Sequence, residues 1–252
     1  MGTLVSLGWD TNLSRSTDLG ATWGAMITHG LGDLTPETVV ANGATGGGGV
    51  WLLTSGSTLR RSTTDASSWS GVTSGYGTDG HIEAVATNGS GTWLMVGRNG
   101  SGSSLLRRST NNGSSWSSLT FSDPGGSARG LAFGNGAWVM ALDNVTLRST
   151  DNGTSWTPVL TPVGTTTAAA VATDGAGVWM HAALRTVAGA KSVLVSKSTD
   201  NGATWVESAV FPTSTLYDYD LLVSTNGSGT FCVLFGAGQL RRTTDNGATW
   251  NA

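Results

Sequence analysis

The sequence predicts an all-β chain, a six-bladed β-propeller with four-stranded blades whose first blade lacks its inner strand. Two observations carry this. A nine-residue phrase ending in tryptophan returns six times, and short apolar runs separated by a tight turn precede it. The phrase reads RSTDLGATW to Trp23, RSTTDASSW to Trp69, RSTNNGSSW to Trp116, RSTDNGTSW to Trp156, KSTDNGATW to Trp205 and RTTDNGATW to Trp250. Successive tryptophans stand 46, 47, 40, 49 and 45 residues apart, a period that suits one four-stranded propeller blade. Residues 1–252 therefore read as a single domain of six repeats.

The third repeat shows the elements in order. Glu83 to Thr87 is a short apolar strand, A. Asn88-Gly89-Ser90-Gly91 is a tight turn. Thr92 to Val96 is strand B, apolar throughout and so buried on both faces. Ser104 to Thr110 is strand C. Asn111-Asn112-Gly113 is a hairpin turn whose residues tolerate positive φ. Strand D starts at Ser115 and carries Trp116. Trp51, Trp93, Trp138 and Trp179 open strand B in their repeats, where Phe231 and Leu4 stand in the others. Only Trp9 lies outside the repeated positions.

Composition agrees. Charged residues make up 12% and glycines number 38, which would suit a flexible linker or a β-fold rich in turns; eleven tryptophans and 38% hydrophobic residues decide for the fold. A net charge of −3 with only two lysines leaves no basic footprint for nucleic acid. No segment is long enough to span a membrane. The N-terminus is not a signal peptide, and although Gly2 and Ser6 fit a loose myristoylation pattern, Leu4 to Leu7 read as a core strand. The lone Cys232, in an apolar run, reads as a small core residue. His181 replaces Met95, Met140 and Leu53 inside strand B and reads as a hydrogen-bonded core histidine.

Thr3 to Arg15 aligns without a gap on Thr230 to Arg242, so the chain begins at strand B of its first repeat, and it ends two residues after the last phrase. One inner strand and most of one outer strand are wanting. A three-stranded first blade, a strand donated by a partner chain, and excision from a longer chain are all compatible with this.

The nine-residue phrase resembles the Asp box of sialidases and many other propellers, and the match covers all six repeats. The box is a folding device. Asp18, Asp151, Asp200 and Asp245 are placed to bond turn amides, glycine permits the bend, and the tryptophan buries a large ring. Repeat three has Asn111 at the aspartate position. Repeat two has Thr64 there and Ala66 in place of the glycine, so its turn is expected to differ.

In sialidase-like propellers the boxes lie opposite the ligand site, which the resemblance places on the D–A and B–C connections. The D–A connections hold His29, Asp33, Glu37, Tyr76, Asp79, His81, Glu83, Asp123, Arg129, Tyr217, Asp218, Tyr219 and Asp220. The B–C connections hold Trp9, Asp10, Arg98, Arg185 and Lys191. A sialidase clamps a carboxylate with three arginines and activates a tyrosine with a glutamate. Arg98, Arg129 and Arg185, with Tyr217 or Tyr219, Glu83 and Asp79, could be cast so, but the family's Phe/Tyr-Arg-Ile-Pro motif is absent. Glu37 and Glu83 occupy one place in strand A and can be read simply as lining the mouth of an axial channel. The arginines before the boxes (Arg15, Arg61, Arg108, Arg148, Arg242) recur and read as structural, and Arg60, Arg107 and Arg241 as covers for apolar surface.

The expected ligand-binding residues are Trp9, Asp10, Tyr76, Arg98, Arg129, Arg185, Tyr217 and Tyr219; no catalytic residue, metal or cofactor is expected. Trp9 beside Asp10 reads equally as a contact for a sugar ring or protein loop and as a plug for the incomplete first blade. The function expected is a non-catalytic binding or assembly module. Its partners would be protein subunits or a glycan, with no nucleic acid and no membrane, in a phage, virion-associated or bacterial surface setting. The alternatives are a sialidase-like exo-glycosidase and an assembly factor, since Asp-box propellers also resemble photosystem-assembly and sorting-receptor domains.

Overall fold

The computed structural model of the chain describes residues 3–7, 12–31, 34, 37–42, 49–122, 124–143, 145–159, 166–213, 221–236 and 238–251. They form six antiparallel sheets, one per repeat, in two compact units, Met1–Thr120 and Phe121–Ala252. In the first unit, β1 (Leu4–Leu7), β2 (Asn12–Ser16) and β3 (Ile27–Thr28) make a three-stranded sheet. The strands β4 (Thr38–Ala41), β5 (Trp51–Ser55), β6 (Thr58–Ser62) and β7 (Ser70–Val72) make the second sheet. The third contains β8 (His81–Thr87), β9 (Trp93–Arg98), β10 (Ser104–Ser109) and β11 (Ser117–Leu119).

In the second unit the fourth sheet contains β12 (Ala128–Gly134), β13 (Ala137–Leu142), β14 (Thr146–Ser149) and β15 (Thr157–Val159). The fifth contains β16 (Thr166–Thr173), β17 (Trp179–Val187), β18 (Ala190–Ser198) and β19 (Val206–Pro212). The sixth has three strands, β20 (Leu222–Thr225), β21 (Phe231–Phe235) and β22 (Gln239–Thr243), and Asn251 adds a single bridge to Arg242. Each complete sheet is the A–B–C–D meander expected. Strand D of the third repeat, however, starts at Ser117, after the tryptophan.

The nine-residue phrase closes each C–D turn with its own side chains. Ser149 Oγ donates to Asp151 Oδ1 (2.7 Å) and accepts the Gly153 amide (2.9 Å). The Asp151 carboxylate in turn accepts the Ser155 amide (2.9 Å) and hydroxyl (2.6 Å). The same four bonds recur at Asp18, Asp200 and Asp245. The second repeat corrects an expectation, because its turn does not differ. Thr64 Oγ1 accepts the Ser68 amide in place of the carboxylate (3.0 Å), and Asp65 and Ala66 take φ of 54° and 63°, like Asn152 and Gly153 at 57° and 77°.

The displaced aspartate of that repeat does other work. Asp65 accepts the Thr3 hydroxyl (2.5 Å), Arg15 Nη2 (2.5 Å) and Trp51 Nε1 (3.2 Å). Burial alone would raise its pKa; these three partners hold it below the ordinary carboxylate value. Arg15 Nε also donates to the Asp65 carbonyl (2.6 Å), as Arg61 Nε does to Asn112 (2.6 Å) and Arg148 Nε to Asn201 (2.8 Å). The arginine before one box thus ties that repeat to the box of the next.

Within each unit, neighbouring sheets pack through the boxes. Trp69 packs with Leu13 and Leu53, Trp116 with Leu52 and Leu59, Trp205 with Val139, and Trp250 with Met180. A Cβ added at Gly113 would meet Leu52 at 3.0 Å, and one at Gly202 would meet Val139 at 2.7 Å. The glycine is therefore needed for close approach as well as for its positive φ. The most deeply buried rings are those of Trp93, Trp138 and Trp179 in strand B; Trp69, Trp116, Trp156 and Trp250 are only half-buried. Cys232 is half-buried rather than a core residue.

His181 is buried, as expected, but not hydrogen-bonded. Among the described residues neither ring nitrogen has a partner, nor has the hydroxyl of Ser196 opposite it in the ladder. The ring meets Trp205 edge-on at 5.8 Å. Burial alone lowers its pKa from 6.5 to about 4.

Candidate functional site

The ends of the sheets away from the boxes carry the charged residues that the repeat does not explain. Strand A enters each of the third and fourth sheets through a bulge. The register of β8 on β9 shifts between Ile82 and Ala84, and that of β12 on β13 between Ala128 and Gly130. The extra residues are Glu83 and Arg129. A bulge re-aims its side chain, and each reaches the residue one strand-length along its neighbour. Glu83 Oε1 lies 3.4 Å from Arg98 Nε, and Arg129 Nε lies 3.4 Å from Asp143 Oδ1. Arg98 and Asp143 stand equally far from Trp93 and Trp138, the first residues of their strands. Consecutive repeats therefore hold the same ion pair with its signs exchanged.

In the first unit this pair extends into a chain. His81 Nδ1 is 3.4 Å from Glu83 Oε1, and His81 Nε2 is 3.3 Å from Glu37 Oε1. Glu37 Oε2 accepts the amide of Gly56 (3.1 Å). Glu83 Oε1 and His81 Nδ1 are buried atoms, and among the described residues neither has a well-aligned hydrogen bond. Glu37, His81, Glu83 and Arg98 thus form a partly exposed, mixed-charge row suited to holding a polar group.

Tyr76 is not part of it, a correction to its expected ligand role. Its ring is buried among Ile82, Trp93 and Met95, with the Arg107 guanidinium 5.8 Å above it. Its hydroxyl donates toward the carbonyls of Met95 (2.9 Å) and Leu105 (3.2 Å). Burial raises its pKa far above the usual range, so it has neither the access nor the acidity of a nucleophile. The same turn builds His29: Leu31 N donates to His29 Nδ1 as Tyr76 N does to Ser74 Oγ. Arg60 then bonds the Gly30 carbonyl as Arg107 bonds that of Gly75. The repeated phrases Thr28-His29-Gly30-Leu31-Gly32 and Thr73-Ser74-Gly75-Tyr76-Gly77 were the available sequence signal.

Arg185 lies near the end of β17, with its Nε unpartnered among the described residues. There β17 and β18 run to nine residues each, pairing as far as Val187 and Ala190. Below this extended hairpin lies an open groove of about 580 Å³, lined by Gly189, Ala190, Lys191, Pro212, Thr213 and Gln239. Sequence reasoning had only Lys191 of these; the rest are backbone-exposing or uncharged residues that no motif marks. Trp9, Asp10, Tyr217 and Tyr219, with Asp33, Asp123, Asp218 and Asp220, lie outside the described residues. Among the described residues no group of three His, Cys, Asp or Glu could hold a metal, and no helix is long and apolar enough to cross a membrane.

Solved structures with the same fold include YCF48 bound to a D1 peptide (17% identity, TM-score 0.62, 99% of this chain and 78% of that one). YCF48 from Cyanidioschyzon merolae matches at 16% identity and TM-score 0.62, covering 98% of this chain and 79% of that one. An ancestral GH74 enzyme is similar over 99% of this chain but only 36% of its own, at 16% identity and TM-score 0.66. PorZ, a surface component of the type-IX secretion system of Porphyromonas gingivalis, is similar over 99% of this chain and 30% of its own, at 17% identity and TM-score 0.61. At these identities the likeness is one of fold. No curated protein matches the chain by sequence. The DUF6242 beta propeller domain matches residues 74–252, well over half the chain, and the protein belongs to that family of β-propellers.

Proposed function

We propose that this propeller is a non-catalytic binding or assembly module that takes an extended segment of a protein partner. The observation that carries the reading is the open groove beside the β17–β18 hairpin. It is shallow, rich in exposed backbone and served by a single charge, Lys191, features that suit a peptide better than a small molecule buried on most sides. The engaged charges elsewhere support the same reading. Arg98 and Arg129 each face an acid of their own sheet through Nε, which offsets much of the positive charge that a clamp for a ligand carboxylate would need. YCF48, a neighbour in fold, is itself bound to a peptide.

The nine-residue box also keeps the sialidase-like superfamily in view. One observation favours an exo-glycosidase as the second reading: the buried, unaligned Glu83 and His81. A phage-displayed peptide library panned on the purified domain, beside a fluorogenic sialoside and a glycan array, separates the two. The binding reading expects selected peptides whose affinity falls about tenfold or more in Lys191→Glu. Sialoside turnover that is lost in Glu83→Gln would replace it with the enzyme.

A further inference from the structure

The sequence holds nine Asn-Gly pairs, which begin at Asn42, Asn88, Asn99, Asn112, Asn135, Asn152, Asn201, Asn226 and Asn246. Glycine leaves its own amide uncrowded, so that amide can attack the side-chain carbonyl carbon of the asparagine before it. The fold obstructs this attack at most of the pairs. In four boxes the hydroxyl that opens the turn holds the glycine amide. Gly113 N donates to Ser109 Oγ, Gly153 N to Ser149 Oγ, Gly202 N to Ser198 Oγ and Gly247 N to Thr243 Oγ1, each at 2.9 Å. At two A–B turns Gly89 N donates to Thr87 Oγ1 (3.1 Å) and Gly227 N to Thr225 Oγ1 (3.0 Å), while Asn88 and Asn226 each accept two amides on Oδ1. Asn99 Oδ1 accepts three bonds from Ser101 and Ser103. Gly43 lies outside the described residues, but the Asn42 carboxamide is held at both ends, Oδ1 by Val50 N (3.0 Å) and Nδ2 by Asn112 Oδ1 (3.4 Å).

Asn135 is the exception. With Gly136 it forms the two-residue turn between β12 and β13, where Gly134 pairs with Ala137 and φ is 47° and 78°. Both residues are exposed, and a Cβ built on Gly136 would meet nothing within 4 Å. Among the described residues neither the Gly136 amide nor the Asn135 carboxamide has a hydrogen bond. Asn112, Asn152, Asn201 and Asn246 share the left-handed backbone of Asn135, at φ of 57° to 62°, so the missing bonds are what set it apart. The turn also carries a contact between sheets of the second unit. The Asn135 carbonyl accepts Asn201 Nδ2 (2.8 Å), and Asn201 accepts Trp179 Nε1 on Oδ1 (3.1 Å) and Arg148 Nε on its carbonyl (2.8 Å).

We propose that Asn135 is a spontaneous deamidation site, the pair the fold leaves unguarded, and that its conversion to isoaspartate loosens the fourth sheet from the box of the fifth. The Gly136 nitrogen bonds to Asn135 Cγ and loses its proton, and the carboxamide nitrogen leaves as ammonia. Water then opens the resulting imide at either carbonyl, to aspartate or isoaspartate. In the isoaspartate the main chain runs through Cβ and Cγ. The carbonyl that held Asn201 becomes a free carboxylate, and the two-residue turn gains a chain atom. The box hydroxyls take on a second role in the same chemistry, since each must release its glycine amide before the asparagine beside it can react.

Peptide mapping by mass spectrometry tests this on native protein held at mildly alkaline pH and sampled over weeks, beside the same protein in urea and a Ser149→Ala variant shown to be folded. In the native protein Asn135 is expected to convert first, up to about tenfold faster than the box asparagines, the effect of one amide hydrogen bond on a rate. In urea the preference is expected to vanish, and in Ser149→Ala the rate at Asn152 is expected to rise toward that at Asn135. The converted fraction, separated by its added negative charge, is expected to exchange amide hydrogens faster than fresh protein over Asp200 to Trp205. Another pair leading in the native protein, a preference for Asn135 that persists in urea, or an unmoved Asn152 in Ser149→Ala overturns the site. Unchanged exchange in the converted fraction overturns the loosening.

Discussion

Replacing His181 by methionine, the residue at the same position in two sister repeats (Met95, Met140), is expected to stabilise the protein, and more so in acid. The imidazole is buried with both nitrogens unpartnered among the described residues, and an unsatisfied buried polar group costs about 1–3 kcal/mol. Methionine has a comparable volume and no polar group to strand, so a gain in this range is expected at neutral pH. Burial holds the folded pKa at about 4 against 6.5 unfolded. Unfolding therefore takes up a proton between these values, and wild-type stability falls as the pH drops through that window. The full loss is about 3 kcal/mol at 1.36 kcal/mol per unit. The variant lacks this term. The box aspartates titrate lower still: the Thr22 hydroxyl and amide hold Asp18 at about 2, and those of Ser155 hold Asp151 at about 2, so their contribution goes only below the histidine window. Urea unfolding followed by tryptophan fluorescence, at neutral pH and about pH 4.5, measures both effects. Equal stabilities at neutral pH together with parallel pH dependence would refute the reasoning.

Three further outcomes follow from the packing. Trp138→Ala, which empties a fully buried site, should cost about 3–5 kcal/mol and clearly more than Trp156→Ala, whose ring is half-buried; urea melts showing the reverse order would contradict the burial. Asp65→Ala strands Arg15 and Trp51 Nε1 and should cost about 2–4 kcal/mol, whereas a neutral result in the same melts would mean the carboxylate is not shared. Glu83→Arg combined with Arg98→Asp copies the Arg129–Asp143 pair, so the double variant should recover about 1 kcal/mol relative to the sum of its single variants, and a strictly additive cycle would show that the pair does not couple.

The repeat was legible because its signal is local. The bonds that close the turn, Ser149 to Asp151 and Gly153 and Asp151 to Ser155 in the fourth repeat, all lie within five positions, so the phrase alone specifies the turn, and six phrases yield six sheets. Even where the second repeat departs, Thr64 and Ala66 are forced into the common turn by their neighbours. Tyr76 was misread as a ligand residue, although the phrase around Gly75 repeats the one around Gly30 and so marks a recurring turn rather than a site. What the sequence hides depends on register or on distant neighbours. A bulge of one residue brings Glu83 to Arg98 and Arg129 to Asp143, and no spacing rule reveals it. His181 sits at an apolar position by pattern, but whether its nitrogens are met depends on Ser196, a strand away. The groove at Lys191 arises because β17 and β18 run several residues past the ends of the other strands.

Amide hydrogen exchange, with and without a peptide selected on the domain, tests most directly the claim that binding occurs at the groove rather than at the charged row. The account predicts slowed exchange at Gly189 to Lys191, Thr213 and Gln239, and none at His81 to Glu83 or at Arg98. Protection confined to the Glu37, His81, Glu83 and Arg98 row, with the groove unchanged, would contradict it.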